Sequence, residues 1–254
     1  MLINRSMDCS GKRVFITGAG RGLGAALAVV FADRGAEVVM AGRNAENLNV
    51  TAEAIRLRCG RRPETLTLDL ADTGEVTRMA KRLRDEGKRL DILVNNAATL
   101  LSGPMDSHDA LAIQQTIAAN VTGTLLLTRG LLPLLKTSPE PDIVNMVSVS
   151  GMTHVPLQGA SVAYVASKYG QAGFTDALRQ ELRGTGIRIT ALYPPNIADI
   201  SPLDGEAWNA PRDAMSWLTN KDVVGTVFGA LARARHVTFM SVLLETATSN
   251  FHGH

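Results

Sequence analysis

In the run YVASK a phenol, Tyr164, and an ammonium, Lys168, stand four residues apart, which on a helix puts them on one face. A neighbouring ammonium favours the phenolate and draws a phenol pKa from ~10 toward neutrality. A phenol tuned in that way can protonate a carbonyl oxygen or take the proton of an alcohol. By itself the pair also fits an ordinary amphipathic helix face, so its meaning depends on what the chain places around it. The helix is predicted to begin near Ser161, and along it Ala166, Gly170, Gly173 and Ala177 recur at helical spacing. Such a strip of small side chains admits a second helix, from this chain or from another subunit.

A second chemical signal lies near the start. TGAGRGLG, Thr17 to Gly24, follows an apolar run and opens a helical pattern through Ala25 to Asp33. Gly18, Gly20, Gly22 and Gly24 let the backbone turn sharply and approach a pyrophosphate, whose charge a helix N-terminus favours. A glycine turn alone can be a plain strand-to-helix connection. Its place after the first apolar strand points to a dinucleotide.

Both signals need a scaffold. RVFITG (13–18), EVVMAG (37–42), TLTLDL (65–70), DILVNNA (91–97), DIVNMVS (142–148) and IRITALY (187–193) are too uniformly apolar for half-exposed strands and suit a parallel sheet covered on both faces. Between them, DTGEVTRMAKRLRDEG opens with Asp72 and Glu75, a cap-and-box start, and sets Val76, Met79, Ala80 and Leu83 on one face. Alternating strands and helices make an α/β chain, a single domain (1–254) with a doubly wound parallel sheet and helices on both faces. The long irregular stretch 194–218 is predicted to be a lid over the substrate.

Composition narrows the partners. With 254 residues, 45% of them apolar, the chain can bury one sizeable core. Its net charge of +2 offers no broad field for nucleic acid or an anionic membrane. The basic runs at 56–62 and 81–89 fall near predicted helix ends, where cations meet the negative end of the dipole. Cys9 and Cys59 have no CxxC or histidine partner and read as reduced thiols. The first residues lack an apolar signal region, and no uncharged apolar stretch is read as reaching the ~18 residues of a membrane span. A soluble, cytoplasmic protein is expected. The histidines, at 108, 154, 236, 252 and 254, show no metal-ligand spacing, so no metal is expected, and His154 is expected in an exposed loop.

The glycine spacing is TGxxxGxG, carried by Thr17, Gly18, Gly22 and Gly24, and it is followed in order by Asp69, NNAA at 95–98, Asn120, Ser148, Tyr164 and Lys168. From about residue 10 to 245 the chain thereby resembles the short-chain dehydrogenase/reductase family, which implies a Rossmann fold. The resemblance implies that Tyr164 is the general acid/base, that Lys168 also holds the nicotinamide ribose, that Ser148 hydrogen-bonds the reacting oxygen, and that Asn120 supports a water-linked proton relay. It implies that Asp69 contacts the adenine and that Asn95, Asn96 and Ala97 pack along its ribose. Further cofactor contacts are implied for Leu23, Leu70, Pro194 and Ile197. It also implies a homodimer or homotetramer paired through the small-residue helix. Ser150 competes with Ser148, since period-two alternation puts both on one side of an extended chain; the S-x-x-G form favours Ser148.

The cofactor follows from what stands after the second strand. An NAD reader places an acid there for the ribose 2′-hydroxyl, whereas this chain has Gly42 and Arg43, with Glu37 at the far end of the strand. Arg43 and Arg21 are planar forks suited to a phosphate, so NADP(H) is expected over NAD(H).

Three features depart from the family. Ala98 stands where NNAG has glycine. Pro194 and Pro195 replace Pro-Gly, and a later threonine aligns with Asp199, whose carboxylate would repel a pyrophosphate and is therefore expected to point elsewhere or to lie on a rerouted loop. The 16 residues from Ser148 to Tyr164 make a long connection that shapes a pocket wall. Trp208, Met215 and Trp217 suggest a partly apolar pocket, although such side chains can equally shut a lid by packing. The function expected is an NADP(H)-dependent enzyme reducing a ketone or aldehyde, or oxidising an alcohol, on a small molecule. The alternative is a regulatory or sensor protein that binds NADP(H) without turnover.

Overall fold

A computed structural model describes residues 7–213 and 215–246; His252, His254 and the first six residues lie outside them. Among the described residues the six apolar runs and one further short segment form seven parallel strands: β1 (Arg13–Thr17), β2 (Glu37–Gly42), β3 (Glu64–Thr67), β4 (Ile92–Asn95), β5 (Asp142–Met146), β6 (Arg188–Tyr193) and β7 (Ser241–Leu243). Their order is β3-β2-β1-β4-β5-β6-β7, so the winding reverses between β1 and β4, where α/β sheets open a crevice at their carboxyl edge.

Alternation along each strand divides the core in two. Val14 and Ile16 of β1, Met40 of β2 and Val144 of β5 face α1 (Gly22–Asp33), α2 (Ala45–Cys59) and α8 (Asn220–Leu231), which contribute Leu27, Phe31, Leu48 and Phe228. Phe15, Val39 and Ile143 face the other way, toward α3 (Thr73–Glu86) and α5 (Thr124–Leu135), which contribute Val76, Leu83, Leu127 and Leu131. Every buried strand therefore needs apolar residues at odd and even positions alike, which is why these strands read as continuous runs.

Several expectations change. The third strand ends at Thr67, leaving Asp69 and Leu70 in the turn beyond it. Asp72 caps α3 through Glu75 N at 2.8 Å, but the Glu75 carboxylate accepts from Asp69 N at 3.2 Å, so the box does not close on Asp72. β7 was not legible, because three residues at a half-exposed sheet edge make no apolar run. α4 (Ala110–Ile117), a π-helical segment (Ala118–Gly123) and α5 join into a 26-residue helix, Ala110–Leu135, long and apolar enough by composition to span a membrane, contrary to the sequence expectation. Its Thr116, Asn120, Thr124 and Thr128 are buried against the rest of the fold. Within 194–218, α7 (Gly205–Asn209) forms, and Ala198 is tied to both Leu218 O and Asn220 N. Met215 and Trp217 are 70% and 71% exposed rather than lining a pocket, whereas Trp208 packs on the core and under the Lys221 ammonium.

Candidate active site

Beyond the carboxyl ends of β1, β2 and β4 lies a cleft of about 590 Å³. Gly18, Gly20, Arg21, Gly22, Leu23 and Gly24 form one wall, Asp69, Leu70, Asn96 and Ala97 the other, and Arg43 closes the end after β2. The turn requires its glycines: Gly18 has φ 68° and Gly22 φ 57°, and the turn closes on itself so tightly that a Cβ on Gly24 would lie 2.1 Å from the Gly18 carbonyl oxygen.

Thr17 and Asn95, expected among the cofactor contacts, turn inward instead. Thr17 Oγ1 accepts from Asn96 N at 2.9 Å and Ala97 N at 3.0 Å, tying the glycine turn to the loop after β4. The Asn95 carboxamide donates to Thr128 Oγ1 and Asn145 Oδ1 in the core. Asn96 Nδ2 donates to Thr17 O at 2.9 Å. Pro194 O accepts from Val149 N, and Ile197 packs on the core; neither lines the cleft. Asn44, Asn47, Leu68 and Ala119 do line it without having been anticipated; Asn44 caps α2 through Asn47 N, a position that only the folded turn reveals.

The charges in the cleft are unequally satisfied. Glu37, the acid of β2, is taken by Arg13 at the opposite end of the strand. Among the described residues no hydrogen bond or ion pair engages the exposed guanidiniums of Arg21 and Arg43. Asp199 does not point elsewhere, as expected, but lines the cleft. Its Oδ2 lies 3.6 Å from where a Cβ of Gly22 would be, while Oδ1 accepts from Asn220 Nδ2 at 2.6 Å. The helix that starts at Gly22 exposes unpaired N–H groups, and this favours a carboxylate there.

The second cluster gathers where β5 meets α6 (Val162–Glu181). Ser161 caps α6 by accepting from Tyr164 N at 3.1 Å, which sets the tyrosine in the first turn. After β5 the chain passes through Ser148, at φ 153° and ψ 156°, into a 3-10 turn, Val149–Gly151. A non-glycine residue in that region costs ~1–3 kcal/mol and is held by its surroundings. Period-two alternation therefore ends before Ser150, and Ser148 is the serine beside the Tyr164 phenol. Its hydroxyl stands close enough to the Tyr164 phenol to favour the phenolate, while its Oγ accepts from Ser150 N at 3.1 Å.

Lys168 is 2% exposed, and its Nζ donates to Met146 O at 3.1 Å and Gln171 Oε1 at 2.7 Å. Asn120, fully buried in the π-helical segment, uses its side chain to accept from Thr99 N and to donate to Thr99 O and Ser167 Oγ. Its carbonyl accepts from Gln171 Nε2 at 2.8 Å. The link from Asn120 to Lys168 is thus made by a side chain that nothing in the motif spacing singled out. π-Helical insertions recur where a helix must present backbone groups to a site. A Cβ on Gly123 would stand 1.9 Å from Leu70 O, so glycine there lets the segment close on the cleft floor.

Burial moves both titrating groups. It pulls the Lys168 ammonium from 10.5 to about 7, and it pushes the Tyr164 phenol above its ordinary value, with the Ser148 hydroxyl drawing the phenol partly back. Desolvation sets the direction of the phenol's shift, opposite to the lowering by lysine that spacing alone implied.

Residues 12–209 match the model of the short chain dehydrogenase family. An oxidoreductase of Staphylococcus saprophyticus is 31% identical over 240 residues, spanning 94% of this chain and 99% of that protein. The ketoacyl reductase HetN of a Nostoc species is 31% identical over 222 residues, or 87% of this chain and 76% of HetN. A chain from Escherichia coli CFT073, solved in complex with NADPH, superposes with a TM-score of 0.79 at 27% identity, covering 94% of this chain and 99% of that one.

Proposed function

The chain belongs to the short-chain dehydrogenase/reductase family of oxidoreductases, and on that premise we propose that it moves a hydride between NADP(H) and a carbonyl or alcohol carbon of a small molecule. The observation that carries the reading is the meeting of Ser148, Tyr164 and Lys168 beside a cleft whose two guanidiniums have no protein partner among the described residues.

The cleft suits NADP(H) because its wall is the glycine turn that opens α1, whose unpaired N–H groups favour a pyrophosphate, and because no acid follows β2. Arg43 and Arg21 would hold the 2′-phosphate, Gly20 to Leu23 the pyrophosphate, Asp69 and Leu70 the adenine, and Asn96 and Ala97 its ribose. NADP(H), when bound, supplies or accepts the hydride. Ser148 orients the reacting oxygen, and Tyr164 gives that oxygen its proton or takes it away. Lys168, held by Gln171 and Met146, favours the phenolate that remains.

The described chain is read as one domain with 194–218 as its substrate lid. Ala166, Gly173 and Ala177 are exposed on α6 and would form the pairing face of a homodimer or homotetramer. A reducing, cytoplasmic setting agrees with Cys9 and Cys59 being free thiols. NADPH consumption across a broad carbonyl panel, beside Tyr164→Phe and with NADPH binding measured in parallel, tests the function. Turnover lost in the variant supports it. Tight binding with no turnover on any compound would return the weight to a cofactor-binding regulator.

A further inference from the structure

One turn beyond Lys168 on α6, and on the same face, stands Gln171, which is 3% exposed. Its carboxamide is used at both ends: Oε1 accepts from Lys168 Nζ at 2.7 Å, and Nε2 donates to the Asn120 carbonyl at 2.8 Å. An ammonium has three protons to place. Met146 O takes a second at 3.1 Å, and the third has no protein acceptor among the described residues.

The surroundings make that carboxamide decisive. Facing Nζ are Tyr164 from α6, the Met146 carbonyl from β5 and the Asn120 carbonyl through Gln171, with the Ser148 hydroxyl beside the phenol. Among the described residues no carboxylate is hydrogen-bonded to Lys168 or paired with it, so its charge rests on neutral oxygens. A buried ammonium left without acceptors gives up its proton. A carboxamide oxygen retains that charge without cancelling it, whereas a carboxylate in its place would neutralise the field at the phenol.

Resting on the reading of Tyr164 as acid/base, we propose that Gln171 is a positioning residue for the reaction: it clamps Lys168 Nζ to the Asn120 carbonyl so that an ammonium, not an amine, faces the phenol. Because burial already holds Lys168 near 7, loss of one acceptor changes its charge at neutral pH.

The test follows the Lys168 titration by NMR of protein carrying 15N-lysine, with Lys168→Met assigning the signal, in wild type, Gln171→Met and Gln171→Glu. Gln171→Met should lower the Lys168 midpoint by about one pH unit, a tenfold fall in the ammonium-to-amine ratio, and Gln171→Glu should raise it. A role confined to packing would not move it in opposite directions. On a substrate that is turned over, Gln171→Met should lower kcat roughly fivefold at pH 7 with KM for the carbonyl compound little changed. An unchanged midpoint in either folded variant overturns the clamp, and a shifted midpoint with unchanged kcat overturns the positioning role. Loss of the acid/base reading itself would show differently, as Tyr164→Phe retaining turnover while the titrations still diverge. Should Gln171→Met fail to fold, Gln171→Glu, of the same size and shape, decides alone.

Discussion

The Lys168 ammonium lies 5.6 Å from the centre of the Tyr164 ring, with the lysine almost wholly shielded from water. At that separation the ammonium stands over the ring within the range of a cation–π contact. The tyrosine is fixed from the Ser161 cap and the lysine from β5 and Gln171, so neither depends on the loops around the cleft.

Removing the phenolic oxygen should therefore affect chemistry and little else. Tyr164→Phe is expected to lower kcat by ~10²–10⁴-fold, the usual weight of a general acid, with NADPH affinity within a few-fold of wild type. Steady-state kinetics beside a fluorescence titration of NADPH checks both halves.

Arg43 has no protein partner among the described residues, and its loss should be felt through the 2′-phosphate. Arg43→Ala should weaken NADPH by roughly 10- to 150-fold, the worth of one contact to a charged group, and NADH by only a few-fold. Equal losses for the two would remove the phosphate role.

Asp199 puts a carboxylate at the start of α1, where a pyrophosphate would come. Asp199→Asn keeps an oxygen for Asn220 and should tighten NADPH by about tenfold at low salt, less as salt screens this exposed group. Weaker binding in the variant would mean that the carboxylate serves mainly to tie the 194–218 segment to α8.

Burial of Lys168 predicts a dependence of stability on pH. Its folded pKa is lowered from 10.5 to about 7; between those values the unfolded chain binds a proton that the folded chain does not, so stability rises with pH across that window and the cost is complete below it. Lys168→Met should melt several degrees above wild type at pH 6, and the gap should narrow toward pH 10. A gap independent of pH would mean that Nζ is solvated.

Two glycines should respond in opposite senses. Gly24→Ala forces a Cβ against Gly18 O, 2.1 Å away, and should cost ~1–3 kcal/mol together with most NADPH affinity. Gly173 has nothing within 4 Å of its Cβ position, and in an isolated subunit Gly173→Ala should add ~0.5–1 kcal/mol through helix propensity. If α6 pairs with a second subunit, the added methyl should instead shift the protein toward monomer on analytical ultracentrifugation.

The sheet was legible because its strands are covered on both faces, so odd and even residues alike had to be apolar, and the helices between them had to bury one stripe. The glycine turn and the Tyr164–Lys168 face were legible for a related reason. Each is set by spacing within one local element, as is the absence of an acid after β2. What the spacing could not decide is where a side chain goes once distant segments meet. Thr17 serves Asn96, 79 residues away, and so leaves the cleft for the core. Ser148 and Ser150 do not share a side, because a 3-10 turn, Val149–Gly151, ends the alternation between them. Asp199 enters the cleft because Asn220 and the N-terminus of α1 receive it there. Gln171 reaches Asn120, 51 residues earlier in the chain, only because the π-helical segment turns its carbonyl toward α6. Periodicity reports the local element, whereas hydrogen bonds across large sequence separations are settled by how the elements pack.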